Sequence, residues 1–463
     1  MNEVDKFRIA KDTLGEVKVP EDVYYGAQTQ RAVNNFPISG LRLPFSFIKA
    51  QAIIKASAAA ANKECGVLNA KKADCIIQAA EEIINGKWNE QFVVDVYQAG
   101  AGTSQNMNVN EVIASRAAEI LGGKKGDFSL VHPNDDVNMS QSTNDTIPTA
   151  IHISIAGQLY ETLYPAIDHL LEVLEEKEKE FHSVVKAGRT HLQDAVPIRL
   201  GSEFKGYKGA VLSVKNALKE AEKYLFDLGL GGNAVGTGIN AHEKYAVLAI
   251  KEIAKRTKLP FTQSENTYMF MQNTNAAIRI SGHLRELAVH LIKISSDLRL
   301  LSSGPRTGLA EITLPAVQPG SSIMPGKINP VILENLYMIC SQVIGNDSCV
   351  TTAAIGSQLE INPMMPVIGY NVLQSITIIS NGMNVFTDKC LKGISANKER
   401  IKEWLDQSLS LVTALNPHIG YEKAAALAKE SFETGKTLKE LLIEKKLFTP
   451  EEAERILDPN SMI

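Results

Sequence analysis

The sequence predicts an all-α protein: helical domains arranged around a central bundle of long helices. Three observations predict it. Apolar residues make up 44% of the 463 positions and aromatics only 6%, a composition of aliphatic helix packing rather than of aromatic-rich sandwiches. Apolar side chains recur at alternating steps of three and four through the middle of the chain. No strand-like alternating run of any length stands out, no internal repeat is visible, and nothing is low in complexity.

In chain order, residues 1–138 read as a mostly helical N-terminal domain, broken by "VKVPEDVYYGAQTQ", "NNFPISG" and "QAGAGTSQNMN". Residues 139–393 read as the central bundle. Its first seam, Ile155, Leu159, Leu163, Ile167, Leu170 and Leu174, is loose. The next two are regular: Phe204, Tyr207, Val211, Val214, Leu218, Ala221 and Leu225, then Ile280, Leu284, Leu287, Leu291, Ile294, Leu298 and Leu301. A fourth runs through Ile368, Val372, Ile376, Ile379, Met383 and Phe386. At 1.5 Å per residue the regular seams keep one apolar face over roughly 25–30 Å. Such faces pack lengthwise, within one chain or against another copy of it. Residues 394–463 read as a small domain of short helices. There "TPEEAERIL" opens with Thr449 as N-cap, Pro450 in the first turn and Glu452 closing a capping box.

Charged residues total 22% with a net charge of −4, which gives no electrostatic case for nucleic acid or an anionic membrane. No apolar run is long enough to cross a bilayer, and the opening "MNEVDKFRIAKD" lacks the apolar core of a signal peptide. Cys65, Cys75, Cys340, Cys349 and Cys390 are widely spaced and odd in number, so a soluble protein of the reducing cytoplasm is expected.

Four polar segments interrupt the helical pattern: "AGAGTSQNMNVNE" at 99–111, "HPNDDVNMSQSTNDTIPT" at 132–149, "GRTHLQDAVP" at 188–197 and "GSSIMPGKINP" at 320–330. Singly, each reads as a turn with helix caps. Together, Thr103, Ser104, Ser142, Thr143, Asn144, Thr190, His191, Ser321, Ser322, Lys327 and Asn329 supply neutral donors, one histidine and one cation. They include no carboxylate suited to a metal. That set suits an anionic small molecule held by hydroxyls, amides and helix N-termini, with lysine as the fixed charge. His191 gains weight from Arg189, Thr190 and Asp194 around it. "GLGGNA" at 229–234 matches a dinucleotide-binding glycine pattern but follows a helical seam, not a strand, and is rejected.

"GSSIMPGKINP" resembles the GSSxMPxKxNP signature of the fumarase/aspartase superfamily. "GTSQNMNVNE", "SQSTND", "GRTHLQDAVP" and "LGGNAVGTGIN" resemble the other motifs of its aspartase and class II fumarase branch, in the same order. The resemblance extends from "DTLGEVKVPEDVYYGAQTQRA" to "LVTALNPHIGYEKAA". It implies a homotetramer with a 20-helix core built from four subunits, each active site assembled from three chains. It implies no organic cofactor, and reversible loss of ammonia or water from a four-carbon dicarboxylate to give fumarate. By motif, Ser321 would remove the proton beside the carboxylate, while Lys327 and Asn329 would hold that carboxylate as it gains charge. Thr103, Ser142, Thr143, Asn144, Thr190 and Ser322 would bind the substrate. His191, supported by Glu334, would face the second carboxylate or activate water. His132, Asn134 and Asp135 would form a second anion site.

A serine hydroxyl is about as acidic as water, with a pKa of about 15.7. Making it a base near pH 8 takes roughly 8 units, about 10 kcal/mol. A lysine 4 Å away supplies about 4 kcal/mol at an effective dielectric of 20. Backbone N–H groups aimed at the oxygen and exclusion of water must supply the rest. Gly320 and Gly326 allow close approach while Pro325 and Pro330 restrict the loop. A segment that closes over substrate and assembles the base only then is expected.

Within the family, "AGAGTS", "SQSTND", "DAVP" and Val331 resemble the ammonia-releasing branch, whereas "HPNDDVN" and "LGGNAVGTG" resemble the fumarases. "SQLEINPMMP" and "PVILENLYM" fit neither. The residues nearest the leaving group favour release of ammonia from aspartate. Fumarate hydration is the alternative, and a non-catalytic helical scaffold is the remote one.

Overall fold

The protein is described by a computed structural model, in which residues 6–463 are described; the first five residues of the opening stretch lie outside the described residues. Helices dominate, as expected. The longest are Phe45–Glu64, Leu200–Ala221, Asn275–Leu301, Val331–Ile355 and Met365–Lys389. Every position of the four apolar seams is buried.

The loose seam has a structural cause. Ile155, Leu159, Leu163 and Ile167 are spaced by three successive steps of four, which outrun a turn of 3.6 residues. A wider π turn at Leu159–Leu163 absorbs the excess between the helices Thr143–Gln158 and Tyr164–Glu180. The helix Val331–Ile355 carries a seam that the sequence reading missed. Its apolar positions Leu333, Leu336, Cys340, Val343 and Val350 are interrupted by buried Asn346 and Asp347. Asp347 accepts from Ser281 Oγ and Arg285 at 2.7 Å, so the polar interruption is internally paired.

Short strands accompany the helices. Phe7–Asp12 pairs antiparallel with Gly15–Pro20, and Val185–Thr190 with Gln193–Arg199. The first hairpin escaped notice because its apolar side chains do not mark a core face: Phe7 and Ile9 are exposed. The second turns on His191 and Leu192, both in the left-handed region at φ 57° and 61°, the geometry of a two-residue type I′ turn.

The chain forms two compact units. One comprises Met1–Pro165, Lys215–Ala288 and Ser341–Ser380. Here the helix Phe45–Glu64 packs on Ala70–Ile84, Thr143–Gln158 and Tyr245–Thr257. The other comprises Ala166–Val214, Val289–Cys340 and Asn381–Ile463. In it Ala187 of the second hairpin joins a core of Leu405, Leu411, Leu415, Leu427, Leu441 and Leu457 from the C-terminal helices. The cap at Thr449 forms as read, with Pro450 in the first turn and Glu452 returning to the Thr449 N–H. Among the described residues no helix is long and apolar enough to cross a membrane, and all five cysteines are free.

Candidate active site

In the first unit two helix N-termini meet. Thr103 opens the helix Thr103–Ile120 directly after Gly102, at φ 84°. A Cβ at Gly102 would lie 3.0 Å from the Ile147 side chain, so only glycine lets this turn approach the helix Thr143–Gln158 so closely. Ser142 caps that second helix: its Oγ accepts from the Asn144 N–H, and Asp145 Oδ1 accepts from the Ser142 N–H at 2.9 Å. Asn106 Nδ2 donates to Thr143 Oγ1 at 3.2 Å and joins the two ends. The partial positive charge at both ends favours an acceptor ligand. Thr103 is exposed, while Ser142, Thr143 and Asn144 are half-buried.

The "LGGNA" stretch is bound to this site from below. Asp145, fully buried, accepts at Oδ2 from the N–H groups of Gly231 and Asn233 at 3.0 and 2.9 Å. Asn144 Nδ2 donates to the Ala234 carbonyl at 2.8 Å. Burial pushes the Asp145 carboxyl up to about 6 against those hydrogen bonds. The glycine loop thus cradles a carboxylate of its own chain. It does follow a two-residue strand, Asp227–Leu228, but the next helix begins only at Tyr245. In the same way the Glu111 carboxylate, in the "NVNE" of the first motif, accepts from the N–H groups of Gly26, Gln28 and Thr29 and from Thr29 Oγ1. It fixes the opening "YYGAQTQ" stretch, a role the sequence reading did not assign.

His132 is exposed, in a turn that also carries Asp135. Its Nδ1 accepts from the Asp135 N–H at 3.1 Å and lies 3.2 Å from the Asp135 carboxylate. Nearby Lys72 is paired with Asp136 at 2.7 Å. Asn134 is exposed.

In the second unit, the hairpin 185–199 is anchored at its base by a buried ion cluster. Arg189 meets Glu311 Oε1 at 2.7 Å, and Lys186 meets Glu203 and Glu311 at 2.8 and 3.1 Å. Burial raises the Glu203 carboxyl, with Lys186 opposing. The hairpin flanks a cavity of ≈ 800 Å³ lined by Arg189, Thr190, Tyr207, His290 and Asp297. At its tip Thr190 and His191 are exposed, and His191 makes no hydrogen bond among the described residues. No hydrogen bond joins it to half-buried Glu334 within the chain.

The loop 320–330 is closed at its base. The Gly320 N–H donates to the Lys327 carbonyl, and Asn329 Nδ2 to the Gly320 carbonyl, both at 2.7 Å. A Cβ on Gly320 would stand 2.6 Å from the Asn329 backbone nitrogen. Ser321 Oγ accepts from the N–H groups of Ile323 and Met324 at 3.3 and 3.0 Å. Ser322 and Lys327 are exposed, and Lys327 forms no ion pair among the described residues. One of the two Asn329 amide hydrogens is therefore spent on the loop itself.

The sequence reading missed the polar residues beneath Thr143. Lys55, Asn106, Asn138 and Gln141 form a network there, with Lys55 and Asn106 almost fully buried. A signal for it existed: a lone lysine within "QAIIKASAAAA", a run otherwise fit for burial on all sides.

The chain matches the family described as "Lyase" over residues 15–345 and "Fumarase C C-terminus" over residues 411–463. It is 48% identical to an aspartate ammonia-lyase of Bacillus subtilis over 462 residues, covering 100% of this chain and 97% of that one. It is 49% identical to a class II fumarate hydratase of Thermosynechococcus vestitus over 448 residues, covering 97% and 96%. Among solved structures it resembles a fumarate lyase:delta crystallin from Brucella melitensis, bound to cobalt, with a TM-score of 0.95, 46% identity and 99% of each chain covered. The chain belongs to the fumarase/aspartase superfamily of lyases.

Proposed function

We propose that the protein is a carbon–nitrogen lyase that reversibly eliminates ammonia from L-aspartate to give fumarate. The observation that carries the chemistry is the 320–330 loop. Ser321 Oγ receives two backbone N–H groups, and six residues further on Lys327 is an exposed cation without an ion pair. Those donors stabilise charge on the oxygen, the contribution that a lysine alone is too weak to make. Ser321 takes the proton from the carbon beside one carboxylate, and the electron pair moves into that carboxylate as an aci-carboxylate. Lys327 and Asn329 hold it. The pair then returns to form the double bond as the carbon–nitrogen bond breaks and ammonia leaves.

Thr103, Ser142, Thr143, Asn144, Thr190 and Ser322 bind the rest of the substrate, and His191 with Glu334 faces the second carboxylate. Exposure of Thr103, His191 and Lys327 in the single chain supports a site completed by other copies: a cytoplasmic homotetramer with a 20-helix core and sites shared by three subunits. Exposed Met338 and Ile355 on the helix Val331–Ile355 support the same assembly. No organic cofactor is required.

Fumarate hydration is the second reading, favoured by "HPNDDVN" and by a hydratase relative at 49% identity beside an ammonia-lyase relative at 48%. The short stretches nearest the leaving group, "AGAGTS" and "SQSTND", favour ammonia. Incubation with fumarate, with and without ammonium, decides. Aspartate formed only with ammonium supports the first reading, malate the second, and no loss of fumarate absorbance refutes both.

A further inference from the structure

The helix Phe45–Glu64 buries a lysine at its centre. Lys55 is 0% exposed, and its ammonium donates to three amide oxygens: Asn106 Oδ1 at 2.7 Å, Asn138 Oδ1 at 2.9 Å and Gln141 Oε1 at 3.0 Å. No carboxylate hydrogen-bonds to it. A charge buried among neutral groups is costly and is kept only where every proton has an acceptor. Burial brings its pKa down to about 7, with Asp145 opposing.

Below about pH 7 the group is an ammonium, which only donates, so each amide then turns its oxygen to Lys55 and its NH2 away. Asn138 Nδ2 then donates to the Gln141 carbonyl, and Gln141 Nε2 to the carbonyls of Val137 and Met139. Asn106 Nδ2 donates to Thr143 Oγ1 at 3.2 Å. Thr143 accepts from beneath, and its own hydroxyl proton has no acceptor among the described residues. We infer that Lys55 is a positioning residue that acts through Asn106 to set Thr143 as a hydrogen-bond donor toward a substrate carboxylate. The free hydroxyl proton suits a carboxylate oxygen, which accepts and cannot donate. The inference rests on the placement of Thr143 against substrate proposed above.

Calorimetric titration with fumarate at pH 6, where Lys55 is an ammonium, tests it. Thr143→Val should weaken binding roughly tenfold, about 1.4 kcal/mol. Asn106→Asp keeps a partner for Lys55 but offers Thr143 an acceptor, which turns the hydroxyl inward. It should weaken binding by a similar factor, and it should have no further effect in the Thr143→Val background. Lys55→Met should behave likewise; should it fail to fold, Asn106→Asp decides alone. Thr143→Ser, which keeps the hydroxyl, should remain sensitive to Asn106→Asp. If Asn106→Asp binds as the parent does, or if its loss multiplies with that of Thr143→Val, the role of Lys55 falls while the reading of the site stands. If Thr143→Val itself binds fumarate as the parent does, both fall.

Discussion

Asp145 holds Asn233. The carboxylate closing the cap of one helix accepts, 2.9 Å away, the backbone N–H of a glycine-rich loop 88 residues later. The same side chain orders the Ser142–Asn144 turn and the "LGGNA" stretch. Two motifs far apart in sequence are one structural unit.

Asp145→Asn leaves N–H donors facing an amide NH2. The variant should lose about 1–3 kcal/mol of stability, read from its urea unfolding midpoint. A midpoint within error of the parent would show that the two motifs are not held together by this group.

Gly320→Ala places a Cβ 2.6 Å from Asn329 N and 2.8 Å from the Lys327 carbonyl, both backbone atoms. The loop base must open and Ser321 must shift. Turnover should fall about 10²-fold, with the thermal unfolding temperature little changed because the loop is largely exposed.

Ser321→Ala removes the proposed base and leaves Lys327 and Asn329 in place. Turnover should drop by about 10²–10⁴-fold with fumarate affinity nearly intact. Turnover within tenfold of the parent would remove Ser321 from the mechanism.

Lys55 carries a pH signature. Its pKa is lowered on folding to about 7 from an ordinary value of 10.5. Between those values the unfolded chain binds the proton and the folded chain does not, so stability contributed by this group rises with pH. Relative to Lys55→Met, the parent should gain about 2–3 kcal/mol from pH 7 to 9. A flat difference across that range would mean that Lys55 titrates normally in the folded protein.

The helical seams were legible because periodicity is local: a helix repeats its buried face every three or four residues, whatever it packs against. The strands were less so. "VKAGRT" and "QDAVPIR" carry glycine, proline and charge where alternation is sought, and their pairing rests on a turn, His191-Leu192, that lacks the Asn-Gly or Asp-Gly pair usual in such hairpins. In the candidate site, the residue types of Ser321, Lys327, His191 and Thr143 are what suggested a ligand with acceptor oxygens. Neither the backbone donors on Ser321 nor the commitment of Asn329 to its own loop could be read from letters.

Residue order along this chain was enough to establish four of the buried helical faces, the cap at Thr449 and the polar turns, because each depends on neighbours within a turn or two. The meeting of Lys55 with Asn106, Asn138 and Gln141 spans separations of 51, 83 and 86 residues. Those partners, and the direction in which each hydrogen bond runs, were decided by packing. A buried ammonium must find acceptors wherever the folded chain brings them, and linear sequence does not record where that is.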